Sequence, residues 1–440
     1  MKNNKITIIG AGLAGSEAAL QFADAGWEVK LFEMRPRVQT EAHTTPYFAE
    51  IVCSNSFKST LEDTASGLLK AEMKMLGAKL LDIAVENAVP AGNALAVDRD
   101  AFAESVTLRI KTHQNIEVIN EEVASLPSGK TIIATGPLTS HGLTKALLNL
   151  IGEQQLYFFD AIAPIVSADS LNRDIVFSKT RYDKGDADYL NCPFSEEEYY
   201  RFVNALNEGE KHTAHEFEND FFHNPDFHFY ENCTPIEELA RRGEDTLRFG
   251  VMRPVGLEDP RTGKRPYGVL QLRAENREFT AYNLVGCQTM LRYPEQKRIF
   301  RLIPGLENAE ILRYGSIHRN TYLNSPAILN EDFSLKNANH IHIAGQLSGV
   351  EGYVESILSG LIVSRVIMDK LPMPPATTIT GGLWRHLLTP SENFQPQNAN
   401  FGFIPSFPGK FKNKMLKKKA YSERALEDMQ TFISNFKGQN

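Results

Sequence analysis

Two of the four cysteines in this 440-residue chain lie in segments built for reactivity. Cys53 falls within residues 42–59, where His43, Thr44, Thr45, Glu50, Ser54, Asn55, Ser56 and Lys58 give a connecting loop unusual polar density. Cys233 precedes a predicted helix start, with Pro235 near the first turn and Glu237 as an early-helix acid. A thiol at a helix N-terminus beside Arg241 or Arg242 has its thiolate favoured, which describes a nucleophile. On residue types alone, a buried structural cysteine in a polar loop and a helix cap on a solvated basic face account for the two segments equally well. Neither Cys53, Cys192, Cys233 nor Cys287 belongs to a CxxC pair, so no zinc knuckle or thioredoxin-type site is expected. His212, His215, His223 and His228 lack metal-ligand order and alternate with Phe217, Phe221, Phe222 and Phe227, so packing explains them better and no metal is expected. No GxSxG elbow is present.

A third constellation is basic. Arg261, Lys264, Arg265, Arg273, Arg277, Arg292, Lys297, Arg298 and Arg301 crowd one region, interleaved with Tyr267, Phe279, Tyr282 and Tyr293. Guanidiniums with aromatics between them suit RNA loops, whose phosphates are gripped and whose splayed bases stack. Lys410, Lys412, Lys414, Lys417, Lys418 and Lys419 add a second patch. A solvated charged surface is the competing reading of both. The net charge of −7 argues against a wholly basic nucleic-acid-coating protein, but leaves room for local patches.

These residues need a scaffold, and residues 5–33 supply its first unit. A β-branched run, Ile6 to Ile9, meets Gly10-Ala11-Gly12-Leu13-Ala14-Gly15. A helical segment and a second apolar run ending in Glu33 follow. Gly10 suits the tight turn, Gly12 lets a pyrophosphate approach the backbone, and Gly15 permits close helix–strand packing. The helix N-terminus faces the phosphates, and Glu33 is placed to accept from a ribose hydroxyl. Further along, helices are predicted over Leu61–Leu76 and from Arg99 to about Ile110, the latter capped by Asp98. Short strands are predicted at Ile116–Val118 and Thr131–Ala134, the latter running into Thr135-Gly136-Pro137. A strand ending in Ala-Thr-Gly is common in flavoproteins of the two-dinucleotide-binding type, where Gly136 passes under the cofactor.

Residues 156–324 lose this rhythm and read as an inserted α+β domain. Strand-and-glycine grammar returns at Ile341–Gln346, followed by Gly349, Gly352 and a helix to about Met368 whose N-terminus points at the flavin pyrimidine edge. Residues 371–382 read as a loop, and a helix is predicted from about Ser422. The expected fold is therefore α/β: a Rossmann-like, two-dinucleotide-binding-type FAD domain, discontinuous over 1–155 and 325–440, with residues 156–324 inserted as a substrate-binding domain. At 42% hydrophobic and 23% charged the composition is that of a globular protein. No apolar signal segment precedes the first strand and no stretch suits a membrane span, which points to a cytoplasmic protein, a monomer or weak oligomer.

Several segments together carry a family resemblance: GAGLAG, EAHTTPYFAEIVCSNSFKS, VPAGNALAVDRDAF, CTPIEELARRG, MRPVGLEDPRTGKRPYGVLQLR and AGQLSGVEGYVESILSG, in that order. The chain closely resembles the folate- and FAD-dependent tRNA uracil-5-methyltransferases of the TrmFO (Gid) type, related to the GidA/MnmG flavoproteins that share GQ-x-x-G-x-x-GY. The resemblance implies FAD, 5,10-methylenetetrahydrofolate as carbon donor, NAD(P)H as reductant, and uridine 54 of the tRNA T-arm as substrate. It implies Cys233 as the nucleophile at uracil C6 and Cys53 beside the flavin, acting on the C5 proton or on a flavin adduct. The cofactor set falls to Gly10, Ala11, Gly12, Leu13, Ala14, Gly15, Glu33, Gly136, Gly345, Gln346, Gly349 and Gly352. RNA contacts fall to Arg241, Arg242, Arg265, Lys417, Lys418 and Lys419. Three alternatives stay open: the same chemistry on a ribosomal RNA uridine, a small-molecule flavin oxidoreductase, and a non-catalytic flavin-binding RNA-interaction protein. The absence of a second GxGxxG weighs against the oxidoreductase.

Overall fold

The computed structural model describes residues 4–40, 42–152, 155–183, 188–211, 234–391, 394–407 and 411–439. Its first sheet has six strands in the spatial order Ser334–Leu335, Ala338–Ile343, Thr131–Ile133, Lys5–Ile9, Glu28–Phe32 and Ile116–Ile119. All neighbours run parallel except the first pair. Ile8 lies opposite Leu31 on one side and Ile132 on the other, and all three are fully buried. Continuous β-branched and leucine runs are what a parallel sheet covered on both faces requires.

A second core lies on another six-stranded sheet. Its order is Phe177–Ser178, Tyr189–Phe194, Gly268–Ala274, Ala281–Leu284, Ile165–Ser167 and Ile311–Arg313, all antiparallel. Helix Glu196–Glu208 starts at a capping box between Ser195 and Glu198 and buries Tyr199, Phe202 and Leu206 in this core. The chain crosses between the cores on one antiparallel pair, Gln155–Ala161 with Ile317–Leu323.

Helix Leu13–Asp24 and helix Tyr353–Asp369 pack face to face on the parallel sheet, and glycines set how closely. A Cβ at Gly15 would lie 1.8 Å from the Gly10 carbonyl oxygen, and one at Gly360 would lie 2.2 Å from that of Ala14. Helix Ala65–Leu76 begins later than the apolar spacing predicts, because Thr64 caps it by accepting from the Gly67 N–H. Asp98 caps helix Arg99–Lys111 through the Ala101 N–H, as its position implies.

Two sequence expectations fail. Gly381 and Gly382 lie inside helix Ile379–Leu388 rather than in a loop. They are there because side chains would not fit: a Cβ would meet the Pro375 carbonyl oxygen at 2.2 Å or Phe403 at 2.4 Å. The last helix runs from Lys414 to Gln439, so Lys414, Lys417, Lys418 and Lys419 are helical and the helix begins eight residues before the predicted start.

Gly360→Ala should lower stability by about 1–3 kcal/mol through overpacking. Gly129→Ala, with open space around its Cβ, should leave it nearly unchanged. Urea unfolding of the two variants checks the contrast.

Candidate active site at the seam between the two cores

The glycine turn divides its labour as the residue types require. Gly10 has φ +97°, and a Cβ there would press on the Ala134 carbonyl oxygen at 2.7 Å. At Gly12 the corresponding distance is 4.0 Å, so the protein leaves that side open. Gly12 is also the N-cap of helix Leu13–Asp24, with no side chain capping it. Its first-turn N–H groups are therefore available to an anion.

Glu33, 6% exposed, ends the second strand and accepts from the Ala11 N–H at 3.0 Å. Its other oxygen accepts from the Arg35 N–H and Nε, at 3.1 and 2.9 Å. Arg35, 2% exposed, reaches on to Glu50 at 3.0 Å. Burial pushes both carboxyls upward. The Arg35 hydrogen bonds and charge outweigh it at Glu33, and hydrogen bonds from Thr44 and Thr45 outweigh it at Glu50, leaving both below the usual carboxylate range. Glu50 thereby folds residues 44–45 back over the turn. His43 sits under this flap. Burial first, then the Arg35 charge, drive its pKa down to about 4.

A cleft runs along these groups, lined by Gly10, Gly12, Leu13, Ala14, Glu33, Gly136, Gly345 and Gln346 among others. Ala11 and Gly15 lie behind its wall. Gly349 and Gly352 are not among its lining residues. They shape the approach to helix Tyr353–Asp369, Gly349 against the Phe394 ring and Gly352 against the Glu355 carboxylate.

Val52 and Tyr353 line the cleft, and Cys53, next in the chain, lies in the seam between the two cores. The Tyr353 hydroxyl lines the cleft and accepts from the Cys53 N–H at 2.8 Å and the Ser54 N–H at 3.2 Å. Arg99 donates to the carbonyls of Ile51 and Cys53 and pairs with Glu275 at 2.8 Å. Arg273 donates to Asn55 Oδ1 at 2.6 Å and Ser54 Oγ at 2.7 Å. Asn55 Nδ2 donates to the carbonyls of Val97 and Ala274. The half-buried Cys53 Sγ faces the Ala161 carbonyl at 3.8 Å. Arg313 completes the group; burial and the nearby Arg99 charge hold its guanidinium below the usual value. Arg35, Glu50, Arg99, Glu275 and Tyr353 carry no role in the sequence reading. For Glu50, Arg99 and Tyr353 their positions in the quoted segments were the available signal; Arg35 and Glu275 lie outside those segments.

Cys233 lies outside the described residues, as do His212, His215, His223 and His228. The chain after Cys233 is firmly held. The Ile236 N–H donates to Gln288 O at 2.7 Å, and the buried Glu237 accepts from the Met290 N–H and Thr289 Oγ1. Arg241 ends helix Ile236–Arg241 and pairs with Glu238 at 3.1 Å. Arg242 follows it, exposed.

The basic region is also partly spent internally. Arg273 is buried in the seam, Arg261 pairs with Asp259, Arg298 with Glu295, and Arg277 and Arg301 donate to backbone carbonyls. Arg265, Lys417 and Lys419 are exposed and Lys418 is half-buried, all available to solvent-borne partners. Among the described residues, no cluster suits a metal ion, and no helix is long and apolar enough to cross a membrane.

Residues 5–372 match the family model of glucose inhibited division protein A. The methylenetetrahydrofolate--tRNA-(uracil-5-)-methyltransferase TrmFO of Bacillus subtilis is 52% identical, with 98% of this chain and 99% of that protein aligned. The Staphylococcus carnosus protein of the same name is 49% identical over 99% of both chains. The chain belongs to the TrmFO family, a family of enzymes. Its fold matches that of Aquifex aeolicus GidA, with TM-score 0.65 at 14% identity over 98% of this chain and 75% of that one. TrmFO and GidA thus share the parallel sheet described above.

His43 adds an acid sensitivity to this TrmFO chain. Its folded pKa of about 4 lies below the ordinary 6.5, so between those values the unfolded chain binds a proton that the folded one does not. Stability should fall as pH drops through that window. His43→Gln should lose less stability than the parent between about pH 7 and pH 4.5 in urea titrations; equal losses would show that His43 is protonated without penalty.

Proposed function

We propose that the protein transfers the one-carbon unit of 5,10-methylenetetrahydrofolate to C5 of uridine 54 in the tRNA T-loop, with FAD in the cleft and NAD(P)H as reductant. The observation that supports this best is the Tyr353 hydroxyl, which lines the nucleotide cleft and hydrogen-bonds the backbone of Cys53. That bond holds a thiol-bearing residue beside the cleft, against the second core. The cleft suits a dinucleotide: Gly12 leaves room for a pyrophosphate, the helix N-terminus is uncapped, and Glu33 stands at the ribose end. When bound, the flavin supplies the redox chemistry that a methylene needs to become a methyl group.

The chain's own residues do the rest. Uracil C5 is a weak nucleophile, and addition of the Cys233 thiolate at C6 makes it enolate-like. Cys53 is then the group that handles the C5 proton, close to the positive charge of Arg99 and Arg313. Arg99 and Tyr353 act on Cys53 by fixing its carbonyl and its N–H. The target base must leave its stack to reach the seam. Arg241, Arg242, Arg265, Lys417, Lys418 and Lys419 are the proposed phosphate contacts, acting through charge and not base identity.

Gly12→Val should abolish FAD retention while leaving the urea midpoint near that of the parent, because only the cofactor side is crowded. A yellow variant would place the flavin elsewhere. Cys233→Ala should lose both methylation and the covalent complex with tRNA carrying 5-fluorouridine. Cys53→Ala should lose methylation yet keep the complex. A peptide map with RNA on Cys53 would reverse the two roles, and methylation of tRNA carrying cytidine at position 54 would reject that target.

A further inference from the structure

Beside the second sheet, two arginines and a tyrosine lie on neighbouring loops. Arg181 and Tyr182 follow the edge strand Phe177–Ser178, and Arg253 lies in the turn after the short helix Thr246–Phe249. The two loops are joined by backbone. The Tyr182 N–H donates to Gly256 O at 2.8 Å, and Arg181 Nη1 donates to Val255 O at 2.8 Å. The Tyr182 ring lies over Gly256, 3.0 Å from where a Cβ would be. Tyr182 has φ +62°, a left-handed conformation that costs a non-glycine residue energy, and yet its ring is 59% exposed.

Among the described residues, neither guanidinium is paired with a carboxylate. Arg253 lies two residues before the Val255 carbonyl that Arg181 holds, and burial, then the neighbouring Arg253 charge, lower the Arg181 pKa. Two neighbouring like charges, neither paired with a carboxylate among the described residues, suit an anion, and a guanidinium fork matches a phosphate bidentately. The same turn presents a second aromatic. The Arg253 N–H donates to Gly250 O at 3.3 Å, directly after Phe249, whose side chain is 76% exposed.

We propose that Arg181 and Arg253 grip one phosphodiester of the RNA substrate while Tyr182 stacks on an adjacent unpaired base, with Phe249 as a further stacking platform. This rests on the RNA substrate proposed above and adds a binding site to it. The strained Tyr182 backbone then has a purpose, since it turns the ring outward beside the two charges. Splayed bases on aromatic faces next to arginine-held phosphates are how single-stranded RNA is bound.

The test is binding of unmodified tRNA to the FAD-loaded protein over a salt series, for the parent and variants of unchanged flavin content. Arg181→Ala with Arg253→Ala should weaken binding on the order of tenfold or more and reduce the salt slope by about one unit. The double Arg→Lys variant should keep the slope but recover only part of the affinity. Tyr182→Phe should bind like the parent, whereas Tyr182→Ala should bind roughly fivefold or more weakly at an unchanged slope. Parent-like affinity and slope in the double alanine variant would overturn the clamp and leave the RNA substrate standing. Failure of the parent itself to bind tRNA would overturn both.

Discussion

The polar strip between the two apolar cores constrains everything around it. Ile51 and Asn55 are buried there, with residues 52–54 half-buried between them, and a buried donor or acceptor must be paired. Asn55 meets this demand by donating to one carbonyl in each lobe, Val97 and Ala274. Arg273 reaches in from the antiparallel sheet and Arg99 from the first lobe, the latter anchored across the seam on Glu275. Removing one member of such a buried pair leaves an uncompensated charge, a loss of about 3–5 kcal/mol. The conformation of Cys53 is therefore inherited from the pairing of its neighbours. It does not depend on contacts of its own sulfur, which meets only the Ala161 carbonyl at 3.8 Å among the described residues.

The second fixed point is the buried Glu33–Arg35–Glu50 chain. It links the end of the parallel sheet to the flap of residues 44–45, so that end of the cleft and the flap are one electrostatic unit. Arg35 satisfies two carboxylates that burial alone would drive towards protonation. His43 stays neutral under the same flap for the complementary reason: a second cation beside Arg35 would find too little solvent.

Local grammar is legible in the sequence. The run from Lys5 to Glu33 specifies strand, turn, helix and strand through residues whose partners are near in sequence or dictated by the turn, and the Asp98 cap acts over three residues. Long-range pairing is not legible. Tyr353 and Cys53 are 300 positions apart, and Arg273 and Asn55 are 218 apart. Composition counts Arg273 as a basic surface residue because nothing near it in sequence announces a buried amide. Gly381 and Gly382 read as a loop for the same reason. The carbonyl of Pro375 is close in sequence, but the ring of Phe403 that excludes a side chain arrives from outside the helix. Arg241 is another case: it follows the predicted helix start closely in sequence, yet in the fold it ends helix Ile236–Arg241 and pairs with Glu238.

The central claim is that a folate carbon reaches uracil C5 on a TrmFO fold whose cleft and thiol are brought together by Tyr353. Isotope tracing tests this most directly. The FAD-loaded protein is incubated with unmodified tRNA, NAD(P)H and methylenetetrahydrofolate labelled in the methylene carbon, and the nucleosides are analysed by mass spectrometry. The account predicts labelled 5-methyluridine that depends on folate and reductant together. Label appearing only when S-adenosylmethionine carries it, or no 5-methyluridine from a fully flavin-loaded protein, would contradict it.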